Sequence, residues 1–222
     1  LVIPYGPGGT YDKYGHTFSR HIGKHIPGKP TVILQHMPGA GGAKAMNFTA
    51  NVMAKNGLNM VVPLDNIVIN QLLRPKKMRY KADQFNYLGS SNQTNIIVVA
   101  RADTGVKTVA DIKKVALIGA TSGKFSSGYL TPKLVIGLLG LKGRMVTGYK
   151  GSSRSILAME QGETSGLNVS WLSFKTNRKE WFDKGFAVPV IQLGPSRESD
   201  LPNVPLLSEL VADKDIPIVK FM

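Results

Sequence analysis

The chain has 222 residues, of which 42% are hydrophobic and 19% are charged. This composition excludes an intrinsically disordered chain, and the length suffices for one large domain or two modest ones with buried cores. The absence of cysteine excludes disulfides, thiolate metal sites and cysteine nucleophiles, and the longest apolar runs, such as residues 96–100, are too short to cross a bilayer.

Strand-like and helix-like patterns alternate along the first part of the chain. Strands are predicted at residues 1–5, 31–37 and 59–64, and helices at residues 12–25 and 42–54. Alternation of this kind predicts a parallel sheet with helices packed on its faces.

The same alternation resumes after a β-run at residues 96–101. Thr108 and Asp111 have the spacing of a helix capping box, and Gly162 and Gly185 are placed to end helices. The remaining predicted strands are residues 116–120, 145–149, 166–170 and 187–193, and the predicted helices are residues 108–114, 126–139, 153–161 and 171–184. Trp171 and Trp181 are predicted to be core or interface residues on a helix, with Trp171 a lesser candidate for lining a cleft. The proline-rich residues 195–205 are predicted to form a loop.

The net charge of +14 has two possible meanings. A clustered excess of basic residues would indicate nucleic-acid binding, whereas a dispersed one suits an anionic solute or simply a basic surface. The densest basic run, residues 74–81, contains a proline and has no helical periodicity. We therefore interpret it as a solvated loop and predict that the protein has no nucleic-acid partner.

Four turns rich in glycine or hydroxyl residues each lie between a predicted strand and a predicted helix: residues 6–12, 38–42, 121–127 and 149–153. Glycine lets backbone N–H groups converge, and the following helix adds its unpaired N–H groups and the positive end of its dipole. Glycine also makes ordinary tight turns, so the prediction of an anion site depends on the four turns together.

Asp12 is the only acidic residue before Asp65, and it directly follows the first turn. Its carboxylate is placed to cap the following helix and to complement the helix dipole. Alternatively, it orders the turn or contacts an amino or hydroxyl group of a ligand. The structural role is favoured.

Motifs for catalysis and cofactors are missing. The sequence has no P-loop, no Gly-x-Ser-x-Gly elbow and no Ser-x-x-Lys, and Lys44 replaces the third glycine of a dinucleotide fingerprint that begins at Gly39. His21 and His25 stand four apart without the glutamate of a metalloprotease helix, which favours two solvent-facing histidines. We predict no catalytic residue, no metal and no cofactor. An α/β enzyme acting on a carboxylate or nucleotide, and the effector-binding domain of a regulator, remain alternatives.

The turns match a known pattern. Residues 3–12, Ile-Pro-Tyr-Gly-Pro-Gly-Gly-Thr-Tyr-Asp, resemble the "V-P-F-x-P-G-G-x-x-D" start of the Bug family, the substrate-binding proteins of tripartite tricarboxylate transporters. Residues 32–42 resemble its "V-V-x-N-x-P-G-A-G-G", residues 149–152 its "Y-x-G-S", and residues 201–209 its "L-P-x-V-P-T-x-x-E". The resemblance spans nearly the whole chain in order.

The resemblance implies a periplasmic α/β protein of the type II, Venus flytrap fold, with a ligand cleft between two domains. It also implies a monomer, not an enzyme, that binds a small organic carboxylate and delivers it to the membrane subunits of a transporter. Domain one would comprise residues 1–96 and domain two residues 97–216, and residues 217–222 would begin a return to domain one. The chain is therefore expected to end before the family's last segment, and it shows no signal peptide.

In the family, the first two turns hold a carboxylate through backbone amides, hydroxyls and water, and the second domain supplies specificity. The predicted ligand-binding residues are Gly8, Gly9, Thr10, Tyr11, Asp12, Gly39, Ala40, Gly41, Thr121, Ser122, Phe125, Ser126, Tyr149, Gly151, Asn168 and Ser170. His36 replaces the usual asparagine, and Tyr11 replaces a smaller residue. An aromatic residue there favours an aromatic or bulky carboxylate over a citrate-like one.

Overall fold

A computed structural model describes residues 1–90 and 92–221 of the chain. These residues form two compact units, the first comprising Leu1–Tyr87, Thr121–Ser127 and Gly148–Arg154, and the second comprising residues 88–90, 92–120, 128–147 and 155–221. Among the described residues, no helix has both the length and the apolar character needed to cross a membrane.

The first unit is built on a short parallel pair of strands, β1 (Val2–Ile3) and β2 (Gln35–His36), which aligns Val2 with Gln35 and Ile3 with His36. Helix α1 (Thr10–Ile22) lies close to β1, because a Cβ on its Gly15 would stand 2.5 Å from the Ile3 side chain. The predicted strand at residues 59–64 is wrong: only Val61 forms an isolated parallel bridge, to Val2, since β1 is too short for a longer ladder.

Two further helices complete the first unit, α2 (Ala43–Asn51) and α3 (Ile67–Leu73). The sequence did not predict α3, because it begins with β-branched residues, which have low helix propensity. A core of eight buried residues packs between these elements: Tyr5, Ala43, Met46, Leu64, Ile67, Met78, Tyr80 and Ala82. The buried side chains of Met78 and Tyr80 thus anchor the basic run (residues 74–81) in this core. Lys76 and Lys77 are exposed in a turn, as predicted.

The second unit contains a five-stranded sheet of β3 (Ile96–Arg101), β4 (Leu117–Thr121), β5 (Gly143–Thr147), β6 (Gly166–Ser170) and β7 (Ala187–Leu193), in the order β5-β4-β6-β3-β7. The sheet is mixed rather than parallel as predicted: β4 and β6 are parallel, but β3 runs antiparallel to both β6 and β7. Alternation alone does not fix strand direction: β3 and β4 flank a short helix at Val109–Ile112, yet they run in opposite directions.

The helices of this part of the chain are α4 (Val109–Ile112), α5 (Ser127–Leu139), α6 (Ser152–Glu160), α7 (Trp171–Asn177), α8 (Lys179–Asp183) and α9 (Ile216–Phe221). The capping box of Thr108 and Asp111 forms as predicted. The predicted helix 171–184 is broken at Arg178, whose φ of −147° is not helical.

The sheet of the second unit has an apolar core on each face, because side chains alternate along β3. Ile97 and Val99 join a cluster with Trp171, Phe174 and Trp181, which confirms both tryptophans as core residues. The opposite cluster contains Val98 and Ala100 with Val135, Ile191 and Leu207, and Val219 of α9 packs against it.

The predicted domain boundaries stay predictions. In the structure, Leu88–Ala120 already packs in the second unit, and so do residues 217–221, which the sequence assigned to a return to domain one.

Candidate functional site

The first turn (residues 6–12) packs against the fourth (residues 149–153), and both belong to the first unit. The Gly6 N–H donates to the Lys150 carbonyl at 2.8 Å, and the Thr10 N–H donates to Ser152 Oγ at 3.1 Å. The Thr10 hydroxyl lies 3.3 Å from the same oxygen. Ser152 thus supplies the acceptor that the first N–H of α1 needs, and it does so from a distant part of the sequence.

Asp12 orders the first turn from within. Its carboxylate is 6% exposed, accepts a hydrogen bond from the Gly8 N–H at 2.7 Å, and lies 2.6 Å from His36 Nε2 and 3.4 Å from His16 Nε2. Burial raises the pKa of Asp12, but the Gly8 N–H, His36 and His16 outweigh it and hold the pKa below its ordinary value. These contacts order the turn, which was the alternative, and the N-cap of α1 has no side-chain hydrogen bond. His36 joins the end of β2 to this turn.

The second turn (residues 38–42) has an unusual backbone conformation, and its Gly41 carbonyl accepts a hydrogen bond from the Tyr5 hydroxyl at 3.1 Å. Four consecutive residues have positive φ: Gly39 at 147°, Ala40 at 48°, Gly41 at 63° and Gly42 at 94°. Ala40 carries a Cβ in a region that costs an L-residue about 1–2 kcal/mol. Strain of this kind collects at functional sites. Among the described residues, no acceptor for the N–H groups of Ala40 and Gly41 is found.

The second turn lies against the third (residues 121–127). A Cβ on Gly41 would stand 2.7 Å from the Ser126 nitrogen and 3.0 Å from the Gly123 oxygen. Both of these are backbone atoms, which cannot move aside as a flexible side chain would. Only glycine therefore fits at position 41, for reasons of space as well as of φ.

Side chains of α3 and its flanks fix the third turn. The amides of Asn66 and Asn70 donate to the Phe125 carbonyl at 3.1 and 2.6 Å. Arg74 donates to the Lys124 carbonyl and stacks over the Phe125 ring, 4.8 Å from its centroid. The carbonyls of Lys124 and Phe125 would otherwise need water as a donor, and they thus accept hydrogen bonds from protein side chains.

The predicted hydroxyls of the third turn mainly bond one another. Thr121 Oγ1 lies 2.8 Å from Ser126 Oγ, which donates to the Gly123 carbonyl at 2.8 Å, and both residues are buried. Ser122 instead makes a side-chain hydrogen bond with Tyr5, whose hydroxyl also lies 3.1 Å from the Gly41 carbonyl. These contacts brace the turn.

Tyr5, Tyr11 and Asp65 form a polar and aromatic cluster in the first unit. The two tyrosine rings meet edge to face, with centroids 4.7 Å apart, and the Tyr11 hydroxyl accepts a hydrogen bond from the Asp65 N–H at 3.1 Å. Desolvation, followed by the charge of Asp65, raises the pKa of both tyrosines above the ordinary value, so both phenols remain protonated donors.

The structure brings together the predicted residues of all four turns within the first unit, from Gly8 to Asp12, from Gly39 to Gly41, and Thr121, Ser122, Phe125, Ser126, Tyr149 and Gly151. Asn168 and Ser170 belong to β6 of the second unit. Asn168 is buried beside an apolar recess that includes Gly119 and Met145, and the Ser170 hydroxyl caps α7 by accepting from the Ser173 N–H at 3.3 Å. That all sixteen bind a ligand stays a prediction.

Asn66 and Asn70 escaped the sequence analysis in any functional role, and Asp65 and Ser152 were not among the predicted ligand-binding residues. Asp65 and Asn66 follow a predicted strand directly, which was the available signal, since ligands of open α/β sheets bind at strand ends. Asn70 lies on a helix that was not predicted. His21 and His25 are both exposed, as the sequence indicated.

Solved structures resemble this chain over nearly its whole length. MatC from Rhodopseudomonas palustris, solved with bound malate, has a TM-score of 0.81 and 20% identity, and the match covers 99% of this chain and 73% of MatC. An R. palustris protein solved with adipate has a TM-score of 0.78 and 20% identity, with 95% and 70% covered. The periplasmic binding protein BugD has a TM-score of 0.75 and 16% identity, with 99% and 71% covered.

The chain has the α/β fold of periplasmic binding proteins. At these identities the likeness shows the fold, and it confirms the predicted fold class. No protein-family model matches the sequence, and no curated protein matches it. BugD is among the structural neighbours, which agrees with the resemblance carried by the sequence motifs.

Proposed function

We propose that this chain is a periplasmic solute-binding protein of the Bug family, which binds a small organic carboxylate and delivers it to the membrane subunits of a tripartite transporter. It acts as a monomer and catalyses no reaction. Structural neighbours solved with adipate and malate support the ligand class, and neighbours described as periplasmic support the location.

The second turn carries this proposal. Four consecutive positive φ values and two N–H groups without an acceptor among the described residues make a backbone surface suited to an oxyanion. The N-terminus of α1, thirteen residues long, adds partial positive charge on the neighbouring turn. The lower pKa of Asp12 keeps that acid engaged with Gly8 and His36.

Calorimetric titration of the purified protein with malate, adipate and other mono- and dicarboxylates tests the proposal. We expect saturable binding of at least one carboxylate and no binding of its neutral amide, because the turns donate to a charged oxygen. Thr10→Val should weaken binding, and Thr17→Val, an exposed threonine on the same helix, serves as the matched control.

The alternatives give different results in the same samples. An enzyme would convert the ligand, so NMR spectra of the mixture should change with time, whereas a binding protein returns the ligand intact. Absence of binding across the panel by a folded protein would contradict the proposal. Release of the tagged full-length protein by osmotic shock tests the periplasmic location.

A further inference from the structure

Asp65 has an environment that the proposed carboxylate site does not account for. The residue is exposed, yet its carboxylate is hydrogen-bonded by the Asn66 N–H at 2.9 Å and also by the hydroxyls of Ser127 and Tyr11. Desolvation by the surrounding protein raises its pKa above the ordinary value, and those hydrogen bonds only partly oppose it. Protein donors thus hold one side of this carboxylate, while the residue stays open to water.

No lysine, arginine or histidine forms an ion pair with Asp65 among the described residues, in a chain of net charge +14. By contrast, Asp12 has two histidines within 4 Å. A desolvated carboxylate without a counter-charge is costly, and a partner cation would relieve that cost.

The neighbours of Asp65 favour a cation as well. Tyr11 lies next to it in hydrogen-bond contact, and Tyr5 lies against Tyr11. The Tyr11 hydroxyl oxygen therefore lies beside the Asp65 carboxylate, and an ammonium group placed there would meet oxygen acceptors without a paired basic residue.

We propose that Asp65 is a specificity-determining residue that binds the ammonium group of an amino-substituted carboxylate, so that the site takes a zwitterionic amino acid rather than a plain organic acid. The inference rests on the proposed function, because the carboxylate of the same ligand is held by the glycine turns. A plain dicarboxylate would bring a second negative charge toward Asp65, where like charges repel.

Ligand pairs that differ only in the amino group test this in the unmodified protein. Aspartate is compared with succinate, glutamate with glutarate, and phenylalanine with 3-phenylpropanoate, by calorimetry at neutral pH. We expect the amino acid of at least one pair to bind about tenfold or more tightly than its partner, which corresponds to about 1.4 kcal/mol.

Asp65→Asn keeps the size of the side chain and removes its charge. It should abolish the preference within that pair, whereas Asp83→Asn, the same change at another exposed aspartate of the first unit, should leave the preference intact. Asp65→Asn should also keep or increase stability at neutral pH. A carboxyl with a raised pKa stabilises the folded state only while protonated, and that stabilisation is lost as the pH rises through its folded pKa.

Each outcome either supports or overturns the role of Asp65. If plain acids bind as tightly as amino acids, or if Asp65→Asn keeps the preference, that role is overturned while carboxylate binding stands. If neither class binds to the folded protein, the proposed function fails and this inference fails with it. Because the ligand pairs are measured on the unmodified protein, they test the inference even if a variant does not fold.

Discussion

The first and second turns have the same position, between a strand and a helix, but they are built by different means. In the first turn a side chain does the ordering: Asp12 accepts from the Gly8 N–H and pairs with His36. In the second turn the backbone does it, through positive φ at Gly39, Ala40, Gly41 and Gly42. The first turn depends on the Asp12 carboxylate. The second turn has no carboxylate, accepts a hydrogen bond from the Tyr5 hydroxyl, and depends on the absence of a Cβ at Gly41.

The two turns also differ in how they contact their neighbouring turns. The first turn meets the fourth through the Ser152 hydroxyl, which accepts from the Thr10 N–H, and through one backbone hydrogen bond from Gly6 to Lys150. The second turn meets the third backbone to backbone, with Gly41 against Ser126 and Gly123. Loss of one hydroxyl hydrogen bond lowers the free energy of unfolding only modestly. A clash between a new Cβ and backbone atoms, by contrast, cannot be relieved by a change of side-chain rotamer.

The largest effect is expected for Gly41→Ala. The new Cβ would combine left-handed strain of about 1–2 kcal/mol with overpacking of about 1–3 kcal/mol, so unfolding free energy should fall by about 2–5 kcal/mol. Gly57→Ala is the matched control, because Gly57 has a φ of 79° and nothing within 4 Å of the added Cβ. Urea unfolding of both variants separates strain from contact. Equal losses of unfolding free energy in Gly41→Ala and Gly57→Ala would mean that contact with the third turn contributes nothing to the effect at Gly41.

Asp12→Asn is expected to cost less, about 1–3 kcal/mol, because it weakens charge-assisted bonds to Gly8 and His36. The folded pKa of Asp12 is lowered, so its contribution is present above the unfolded pKa of about 3.9 and is lost as the pH falls through the folded value. The free energy of unfolding should therefore fall less steeply with decreasing pH in the variant than in the parent protein. If the free energy of unfolding depends on pH in the same way in the variant and the parent, ionised Asp12 does not stabilise the folded state.

Ser152→Ala should cost about 0.5–1.5 kcal/mol, since it removes one hydrogen bond to the first N–H of α1. Ser199→Ala changes an exposed serine in the second unit and controls for loss of a hydroxyl. Hydrogen exchange of the Thr10 amide gives a local readout, and we expect it to accelerate only in Ser152→Ala. Unchanged protection at Thr10 would show that water replaces the serine.

The sequence predicted the fold class and most positions of helices and strands, because hydrophobic periodicity and turn-forming residues are local features of a sequence. Residues 166–170 and 187–193, for example, are strands with the predicted bounds. The antiparallel direction of β3 was not predictable in this way, because β3 and β4 flank α4 and still run in opposite directions. The predicted strand at 59–64 failed because its partner has only two residues.

For the candidate site, the sequence located the glycine turns but not their contacts. The pairing of Thr10 with Ser152 joins residues 142 positions apart, and Asn70 reaches Phe125 across 55 positions. Long-range contacts of this kind have no local pattern. Asp65 looked ordinary as a residue after a strand, and only its neighbours in space, Tyr11 and Ser127, distinguish it.

Ala40→Gly should have the smallest effect on stability, and of the opposite sign. Ala40 has a φ of 48°, so glycine relieves the strain of about 1–2 kcal/mol but adds freedom to the unfolded chain, leaving a gain of up to about 1 kcal/mol. Lys29→Gly is the matched control, because Lys29 has a φ of 45° and lies in a different turn. Both variants should gain stability alike in urea unfolding. If the second turn binds the carboxylate, however, only Ala40→Gly should weaken ligand binding, since a more flexible turn must be ordered again around the ligand. Equal affinities in the two variants would mean that the rigidity of this turn does not contribute to binding.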